Sequence, residues 1–160
     1  MTDSRLSISS MSYEKKNDIR VLNSCLSKWF SNPKILNLVS PSMRYPFKIQ
    51  QWINQSYSNK SSTIVLKLDN WIIGHISIRM GDQTKSAHIF HLIIDPDQQQ
   101  NGYGEKLIRY AEKLILKNDL KIITLNVLKN NQFAITLFEK IGYTIIEKRN
   151  SKKIKMLKNL

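Results

Sequence analysis

The apolar residues in the middle of the chain are spaced as in β-strands. Residues 62–68 and 71–80 are rich in β-branched side chains and flank the polar pair Asp69 and Asn70, which predicts a hairpin with a tight turn. Residues 87–94 are apolar at both odd and even positions, a pattern typical of a strand that is covered on both faces. The sequence therefore predicts three consecutive strands in this region.

Shorter segments outside this region also have strand character. Apolar residues alternate with serine near the start of the chain and form short runs in its last third. A polar turn at Asn150 and Ser151 is predicted to join the last two runs into a hairpin. The segments are 6–9, 121–128, 143–147 and 154–157.

Other segments carry apolar residues at intervals of three and four, which predicts amphipathic helices. In the first helix Asp18 is a candidate N-cap, and Asn32 with Pro33 marks the end. In the last helix Asn131 is a candidate N-cap, and Gly142 closes the helix. The segments are 18–30, 47–53, 107–118 and 131–141.

The predicted elements follow in the order β, two helices, three strands, α, β, α, β, β. This order predicts a mixed α/β domain of the α+β type, because the strand runs are too interrupted for a doubly wound sheet. With 160 residues, the chain has about the length at which one domain forms a single core. We therefore expect residues 1–160 to form one domain.

Composition favours a folded, soluble protein. Hydrophobic residues make up 41% of the chain, yet no run approaches the length of a membrane span. Residues 1–12 are rich in serine and lack the apolar core of a secretory signal. The single cysteine, Cys25, has no partner in the chain for a disulfide. These observations predict a cytoplasmic protein.

The formal net charge of +13 has two interpretations. It favours binding to a polyanion such as nucleic acid, because Lys and Arg neutralise phosphates. However, 19 of the 25 basic residues are lysines, as expected for a protein from an A/T-biased genome. No nucleic-acid recognition motif occurs in the sequence, so a solvated surface is the favoured interpretation.

Candidate chemistry lies where the strand 87–94 leads into the next helix. Asp95 and Pro96 end the strand, and Gly102 and Gly104 precede the helix. The first amides of a helix have no intrahelical acceptor and carry the positive end of the helix dipole, so they can bind phosphate oxygens. Glycine permits a left-handed turn and lets a phosphate approach the main chain. The junction therefore predicts an anion site, or a turn whose glycines serve geometry alone.

This loop and a second block resemble the GNAT acyltransferase superfamily. The loop, Q-Q-N-G-Y-G at residues 99–104, is similar to the acetyl-CoA pyrophosphate loop with the pattern Q/R-x-x-G-x-G/A. The second block, residues 125–143, is similar to the L-x-V, N-x-x-A and L-Y-x-K-x-G-F elements of that family. The spacing matches in both blocks, which makes the pair more specific than the loop alone.

The resemblance implies a strongly twisted, mostly antiparallel sheet that is splayed around a cofactor cleft, with helices on both faces. It implies that acetyl-CoA is the co-substrate and lies between strands 87–94 and 121–128. The loop would bind its pyrophosphate, and the strand main chain would bind its pantetheine arm. The implied contact residues are Leu92, Ile94, Gln99, Gln100, Asn101, Gly102, Tyr103, Gly104, Asn131 and Phe138.

The catalytic groups are less well defined. Phe138 stands where many members have a tyrosine proton donor, and residues 87–94 lack the glutamate base of many members. His88 and His91 are the titratable groups of this strand, and an imidazole can accept a proton near neutral pH. Strand alternation predicts that they face opposite sides, and a structural role is the alternative for each. His75 is a weaker candidate, and no metal site is expected because no ligand cluster occurs.

The sequence thus favours an enzyme that transfers the acetyl group of acetyl-CoA directly to a primary amine of a protein N-terminus, a lysine or a small molecule. The alternatives are a module that binds acetyl-CoA without catalysis, suggested by Phe138 and the missing acid, and a basic nucleic-acid-binding protein. A polycationic acceptor is disfavoured by the 25 basic against 12 acidic residues. We expect a monomer or homodimer that binds neither membrane nor nucleic acid.

Overall fold

The computed structural model describes residues 5–81, 83–148 and 152–160. The strands are β1 (Leu6–Met11), β2 (Ser62–Leu68), β3 (Trp71–Met80), β4 (Ser86–Ile94), β5 (Ile122–Leu128), β6 (Thr144–Glu147) and β7 (Lys153–Asn159). The helices are α1 (Lys16–Trp29), α2 (Pro33–Val39), α3 (Ile49–Ser58), α4 (Tyr103–Lys117) and α5 (Gln132–Lys140), with a short 3-10 turn at Pro96–Gln98.

The strands of the described residues form one sheet with the order β1-β2-β3-β4-β5-β7-β6. Neighbouring strands are antiparallel, except for the central pair β4 and β5, which is parallel. A parallel pair needs a crossover connection, and α4 provides it here. The mixed, mostly antiparallel sheet predicted from the sequence is confirmed.

The central strands β4 and β5 separate shortly after they begin. The strands are nine and seven residues long. Their pairing covers only Ser86 with Ile122, Ala87 with Ile123, and His88 with Thr124. Beyond this point β4 stays paired with β3, while β5 stays paired with β7. The sheet therefore divides into two halves with a cleft between them, as the resemblance implied.

Helices cover both faces of the sheet. On one face α4 and α5 pack on an aliphatic core in which Ile76 and Ile123 are fully buried. On the other face α1, α2 and α3 pack in a second core that is rich in aromatic residues, including Trp29, Phe30 and Trp52. Successive side chains of a strand point to opposite faces, so one strand serves both cores. The predicted helices on both faces are confirmed.

Two predictions about the helical region were wrong. The sequence predicted two helices between β1 and β2, but the structure has three, because Asn32 and Pro33 end α1 and also start α2. Asn32 Oδ1 accepts a hydrogen bond from the Lys34 N–H (2.9 Å), and proline occupies the first helical turn. In addition, α1 begins at Lys16, so Asp18 lies in the first turn and not at the N-cap. Its negative charge there still interacts favourably with the helix dipole.

Other predicted features are confirmed. β2 and β3 have the predicted bounds, and Gly142 follows α5 with a φ of 103°. The closing hairpin is present as the antiparallel pair β6 and β7, although its predicted turn at Asn150 and Ser151 lies outside the described residues. Among the helices of the described ranges, none has the length and apolar character needed to cross a membrane.

Candidate active site

A cleft of about 340 Å³ lies between the diverging strands β4 and β5. One wall carries His88, Phe90 and His91 of β4, and the opposite wall is formed by residues 126–128 of β5. The end of α2 with the segment after it, the end of α3, Arg79 of β3 and Lys153 of β7 complete the lining. Both the volume and the mixture of apolar and polar walls are typical of a small-molecule site.

A β-bulge in β4 changes which residues face this cleft. Two residues of β4, His91 and Leu92, oppose the single residue Ile76 of β3, and His91 has a φ of 52°. An extra residue shifts the alternation of side chains by one position. His91 therefore joins His88 in lining the cleft. The prediction that the two histidines face opposite sides was wrong for this reason.

His91 lies at the back of the cleft and is only 6% exposed. Its ring stacks on the indole of Trp52 with the ring centroids 3.9 Å apart, and its Nε2 lies 3.1 Å from Ser40 Oγ. Burial lowers the pKa of His91 to about 3, and the nearby His75 contributes in the same direction. His91 is therefore neutral at physiological pH, and its contacts are those of a structural residue.

His75 is fully buried beside His91. Its Nδ1 donates to the main-chain carbonyl of His91 (2.8 Å). Burial lowers the pKa of His75 to about 4, although this hydrogen bond acts in the opposite direction. Such a buried, neutral ring has no route to an acceptor in the cleft.

His88 stands at the point where β4 and β5 separate, and its side chain is only half-buried. Its Nδ1 lies 2.9 Å from Thr124 Oγ1 across the last residue pair of the two strands. The Thr124 hydroxyl donates to the Ala87 carbonyl (3.5 Å). These contacts place the His88 ring at the opening of the cleft.

The loop before α4 has the geometry of an anion site. Gly102 immediately precedes α4 with a φ of 77°, and Gln100 is also left-handed with a φ of 68°. The Lys106 N–H donates to the Gly102 carbonyl (3.1 Å). The amides of the first turn before Lys106 therefore have no acceptor within the helix. A Cβ built on Gly102 would meet nothing within 4 Å, so the main chain here is open to a ligand. These features fit a pyrophosphate.

Side chains of the loop brace its main chain. Asn101 Nδ2 donates to the Gln98 carbonyl (3.1 Å), and Gln99 Nε2 donates to the Ile94 carbonyl (3.4 Å). Tyr103 begins α4. These hydrogen bonds hold the loop in place without using its amides.

The remaining predicted contact residues lie around the loop and the cleft. Leu92 and Ile94 are half-buried against the core under α4, and a Cβ on Gly104 would lie 3.8 Å from Ile94 Cγ1. Asn131 caps α5 by accepting a hydrogen bond from the Ala134 N–H (3.3 Å), as predicted. Whether these residues contact acetyl-CoA stays a prediction.

Phe138 is 5% exposed and belongs to the core between α5 and the sheet. Its ring makes an edge contact with Tyr143, with the centroids 5.2 Å apart. It does not belong to the residues that line the cleft within the described ranges. Whether Phe138 contacts acetyl-CoA stays a prediction.

Sequence reasoning missed several residues of the cleft. Thr124 orients His88, Ser40 contacts His91, and Trp52 stacks on His91. Arg79 lines the cleft from β3. None of these residues belongs to a local motif, so only the hydrophobic periodicity of Trp52 was visible in the sequence. In the part of the chain that the structure describes, no group of three His, Cys, Asp or Glu side chains could hold a metal ion.

The site combines a glycine-rich anion loop at a helix N-terminus with a parallel strand pair that opens beside it. The model of the acetyltransferase (GNAT) family matches residues 28–143 of this chain, which is more than half of its length. The protein therefore belongs to the GNAT acetyltransferase family.

Individual relatives agree with this assignment. The chain is 31% identical over 91 residues to S-(2-succino)cysteine N-acetyltransferase of Bacillus subtilis, covering 52% of this chain and 55% of that protein. It is 32% identical over 57 residues to [ribosomal protein bS18]-alanine N-acetyltransferase of Escherichia coli K12, covering 36% of this chain and 38% of that protein. The matches thus span about half or less of these relatives.

Solved structures share the fold over nearly the full length. The PaiA N-acetyltransferase of Thermoplasma acidophilum in complex with coenzyme A aligns with a TM-score of 0.73 and 18% identity, covering 98% of this chain and 99% of that chain. At this identity the likeness concerns the fold.

Proposed function

We propose that this protein is an N-acetyltransferase that transfers the acetyl group of acetyl-CoA to a primary amine in the cleft between β4 and β5. One observation carries the proposal. Beyond His88 the edge of β4 is no longer paired with β5. From there β4 leads directly into the anion loop at residues 99–104. An extended ligand with a pyrophosphate at one end and a thioester at the other fits this sequence of sites.

Each part of the site has a role in the proposed reaction. The loop amides bind the pyrophosphate, and the released main chain of β4 at Leu92 and Ile94 pairs with the pantetheine arm. A bulge leaves main-chain groups out of the ladder, so the amides near His91 are our candidates for stabilising the oxyanion. Acetyl-CoA supplies an activated acetyl group on a thiol leaving group.

His88 is the proposed general base. It lines the cleft opposite the wall formed by residues 126–128, and its Nδ1 lies 2.9 Å from Thr124 Oγ1. His91 shares the cleft, but its burial makes it too weak a base for an amine. We therefore assign His88 to proton removal and His91 to the support of the cleft wall.

The proposed reaction balances without a cofactor beyond the co-substrate. The amine nitrogen bonds to the acetyl carbonyl carbon, the carbon–sulfur bond breaks, and His88 takes the proton that the nitrogen loses. The thiolate takes a proton from solvent. A thiol with an ordinary pKa near 8.5 is a tolerable leaving group, so a phenylalanine at position 138 is compatible with turnover.

The proposal extends to the setting of the enzyme. We propose that residues 1–160 act as one domain, as a monomer or homodimer, in the cytoplasm. Cys25 is a buried free thiol, which agrees with a reducing compartment. The names of the two relatives suggest acceptors for a first panel, namely S-(2-succino)cysteine and a peptide with an N-terminal alanine.

Thermal unfolding with and without acetyl-CoA tests the binding step. A hundredfold excess over Kd stabilises the native state by about 2.7 kcal/mol. Gly102→Val should abolish this shift, because a β-branched residue is strained at a left-handed φ and fills the open space above the main chain. Gly142→Val is the matched control, since Gly142 is also left-handed but lies at the far end of α5.

A free-thiol assay over the amine panel tests transfer. We expect thiol release with at least one amine and none with Gly102→Val. A thermal shift without release for any amine would instead support the binding module. An unchanged shift in Gly102→Val would contradict the assignment of the loop.

A further inference from the structure

The cleft carries positive charge at two positions on its lining. Arg79 of β3 and Lys153 of β7 both line it. None of the described residues that line the cleft is Asp or Glu. A cleft lined by charge of one sign concentrates ligands of the opposite sign. This surface therefore attracts an anionic acceptor and repels a polycationic one.

Arg79 is held in one orientation by a short chain of hydrogen bonds. Its Nη1 donates to Asn59 Oδ1 (2.7 Å), and Asn59 Nδ2 donates to the Gln55 carbonyl (2.8 Å). Asn59 is a neutral partner, and no carboxylate of the described residues forms an ion pair with Arg79. A guanidinium has five N–H donors, so most of them are left for a ligand.

The position of Arg79 relates it directly to the proposed base. Arg79 pairs with His88 across β3 and β4. Residues directly opposite each other in an antiparallel pair have their Cβ atoms about 5 Å apart and share a face of the sheet. An acceptor can therefore contact both side chains if its anionic group lies a few bonds from its amine.

We propose that the acceptor is a small amine that carries a carboxylate or phosphate, and that Arg79 binds this group. The inference rests on the proposed function, because it names the acceptor class of the same cleft. A guanidinium binds a carboxylate or a phosphate through two parallel hydrogen bonds. The experiment below therefore decides which of these two groups the acceptor carries.

Acceptor kinetics at saturating acetyl-CoA test the proposal. The amines are β-alanine, which carries a carboxylate, O-phosphoethanolamine, which carries a phosphate, the neutral ethanolamine, and the dication cadaverine. We expect kcat/KM to be highest for one of the two anionic amines and lowest for cadaverine. The anionic amine with the higher kcat/KM shows whether the acceptor carries a carboxylate or a phosphate.

Arg79→Gln tests the assigned residue. The ratio of kcat/KM for the preferred anionic amine to that for ethanolamine should fall by about tenfold to a hundredfold, the range for a hydrogen bond to a charged group. Most of the fall should appear in the KM of the anionic amine, because Arg79 binds the acceptor and takes no part in proton transfer.

Arg20→Gln is the matched control. Arg20 of α1 is also exposed, and its Nη2 donates to an asparagine oxygen, Asn17 Oδ1, at 2.8 Å. The substitution removes the same charge outside the cleft. The ratio of the two kcat/KM values should therefore stay as in the unsubstituted protein.

Three outcomes overturn the proposal. They are a preference for ethanolamine or cadaverine, an unchanged ratio in Arg79→Gln, and an equal change in Arg20→Gln. Acetyl transfer without preference for an anion leaves the proposed function standing and refutes this inference alone. If no amine is acetylated, calorimetry of the CoA-loaded protein with N-acetyl-β-alanine and N-acetylethanolamine decides, and equal affinities refute the anion site.

Discussion

His88 and His91 lie three residues apart on one strand, yet they occupy two different regions of the molecule. The region around His91 is buried, because the Trp52 indole stacks on its ring and the fully buried His75 lies beside it. The region around His88 is open, because β5 leaves β4 at this residue and a cleft begins. The same side chain is thus a neutral packing group in one place and a half-buried ring on the cleft wall, our proposed base, in the other.

The comparison teaches that burial decides the role of a histidine in this fold. Desolvation disfavours the charged imidazolium, and it lowers the pKa of both His75 and His91. His88 is instead half-buried at the residue pair where β5 leaves β4. The buried region around His91 supports the wall of the cleft, whereas the open region around His88 carries the proposed chemistry.

The largest expected effect separates the two regions by activity. His88→Gln should lower kcat by about a hundredfold or more, the contribution of a general base. It should also remove the fall in rate at acidic pH that protonation of an imidazole base produces. The pH–rate profile of acetyl transfer is the measurement. If this variant keeps the fall in rate at acidic pH, His88 is not the base. Removal of the proton from the amine by water is then the better mechanism.

Acid should lower the stability of the protein through the buried rings of His75 and His91. In the unfolded chain each histidine binds its proton near pH 6.5, whereas burial lowers the pKa of His75 to about 4 and that of His91 to about 3. Below pH 6.5 the unfolded state therefore binds more protons, and the free energy of unfolding falls with falling pH. At pH 5 the loss is about 2 kcal/mol for each histidine.

Urea unfolding at pH 5 and pH 7.5 measures this loss. A stability that does not change between these pH values would show that the two rings are hydrated.

A smaller effect on stability is expected for His91→Gln. The substitution removes the stacking on Trp52, while the amide can still contact Ser40, so we expect a loss of about 1 to 2 kcal/mol at pH 7.5. The variant should also lose one histidine's share of the acid dependence. Its acetyl transfer should keep the acidic limb, and a lost limb in a stable variant would transfer the role of base to His91.

The smallest expected effect concerns Phe138, which lies in neither region. Phe138→Tyr places a hydroxyl in an apolar core against Tyr143, so the free energy of unfolding should fall by about 1 kcal/mol. The rate of transfer should change by less than about tenfold. A larger gain in rate at unchanged melting temperature would place this ring near the thioester after all.

Local sequence patterns determined much of the fold and the cofactor loop. The bounds of β2 and β3 follow from their β-branched runs around Asp69, and the cap at Asn131 follows from its spacing to a helix. The left-handed φ at Gly102 was predictable because glycine adopts this region more readily than any other residue. Even α2 had a local signal, since an asparagine followed by a proline starts helices as well as ending them.

The tertiary structure alone decided which side chains line the cleft and how deeply each is buried. Strand parity placed His88 and His91 on opposite faces, but the bulge against Ile76 brought both to the cleft, and a bulge depends on the partner strand. The burial of His91, the orientation of His88 by Thr124 and the approach of Arg79 are contacts between residues distant in the chain. Such contacts set exposure and pKa, and no local pattern encodes them.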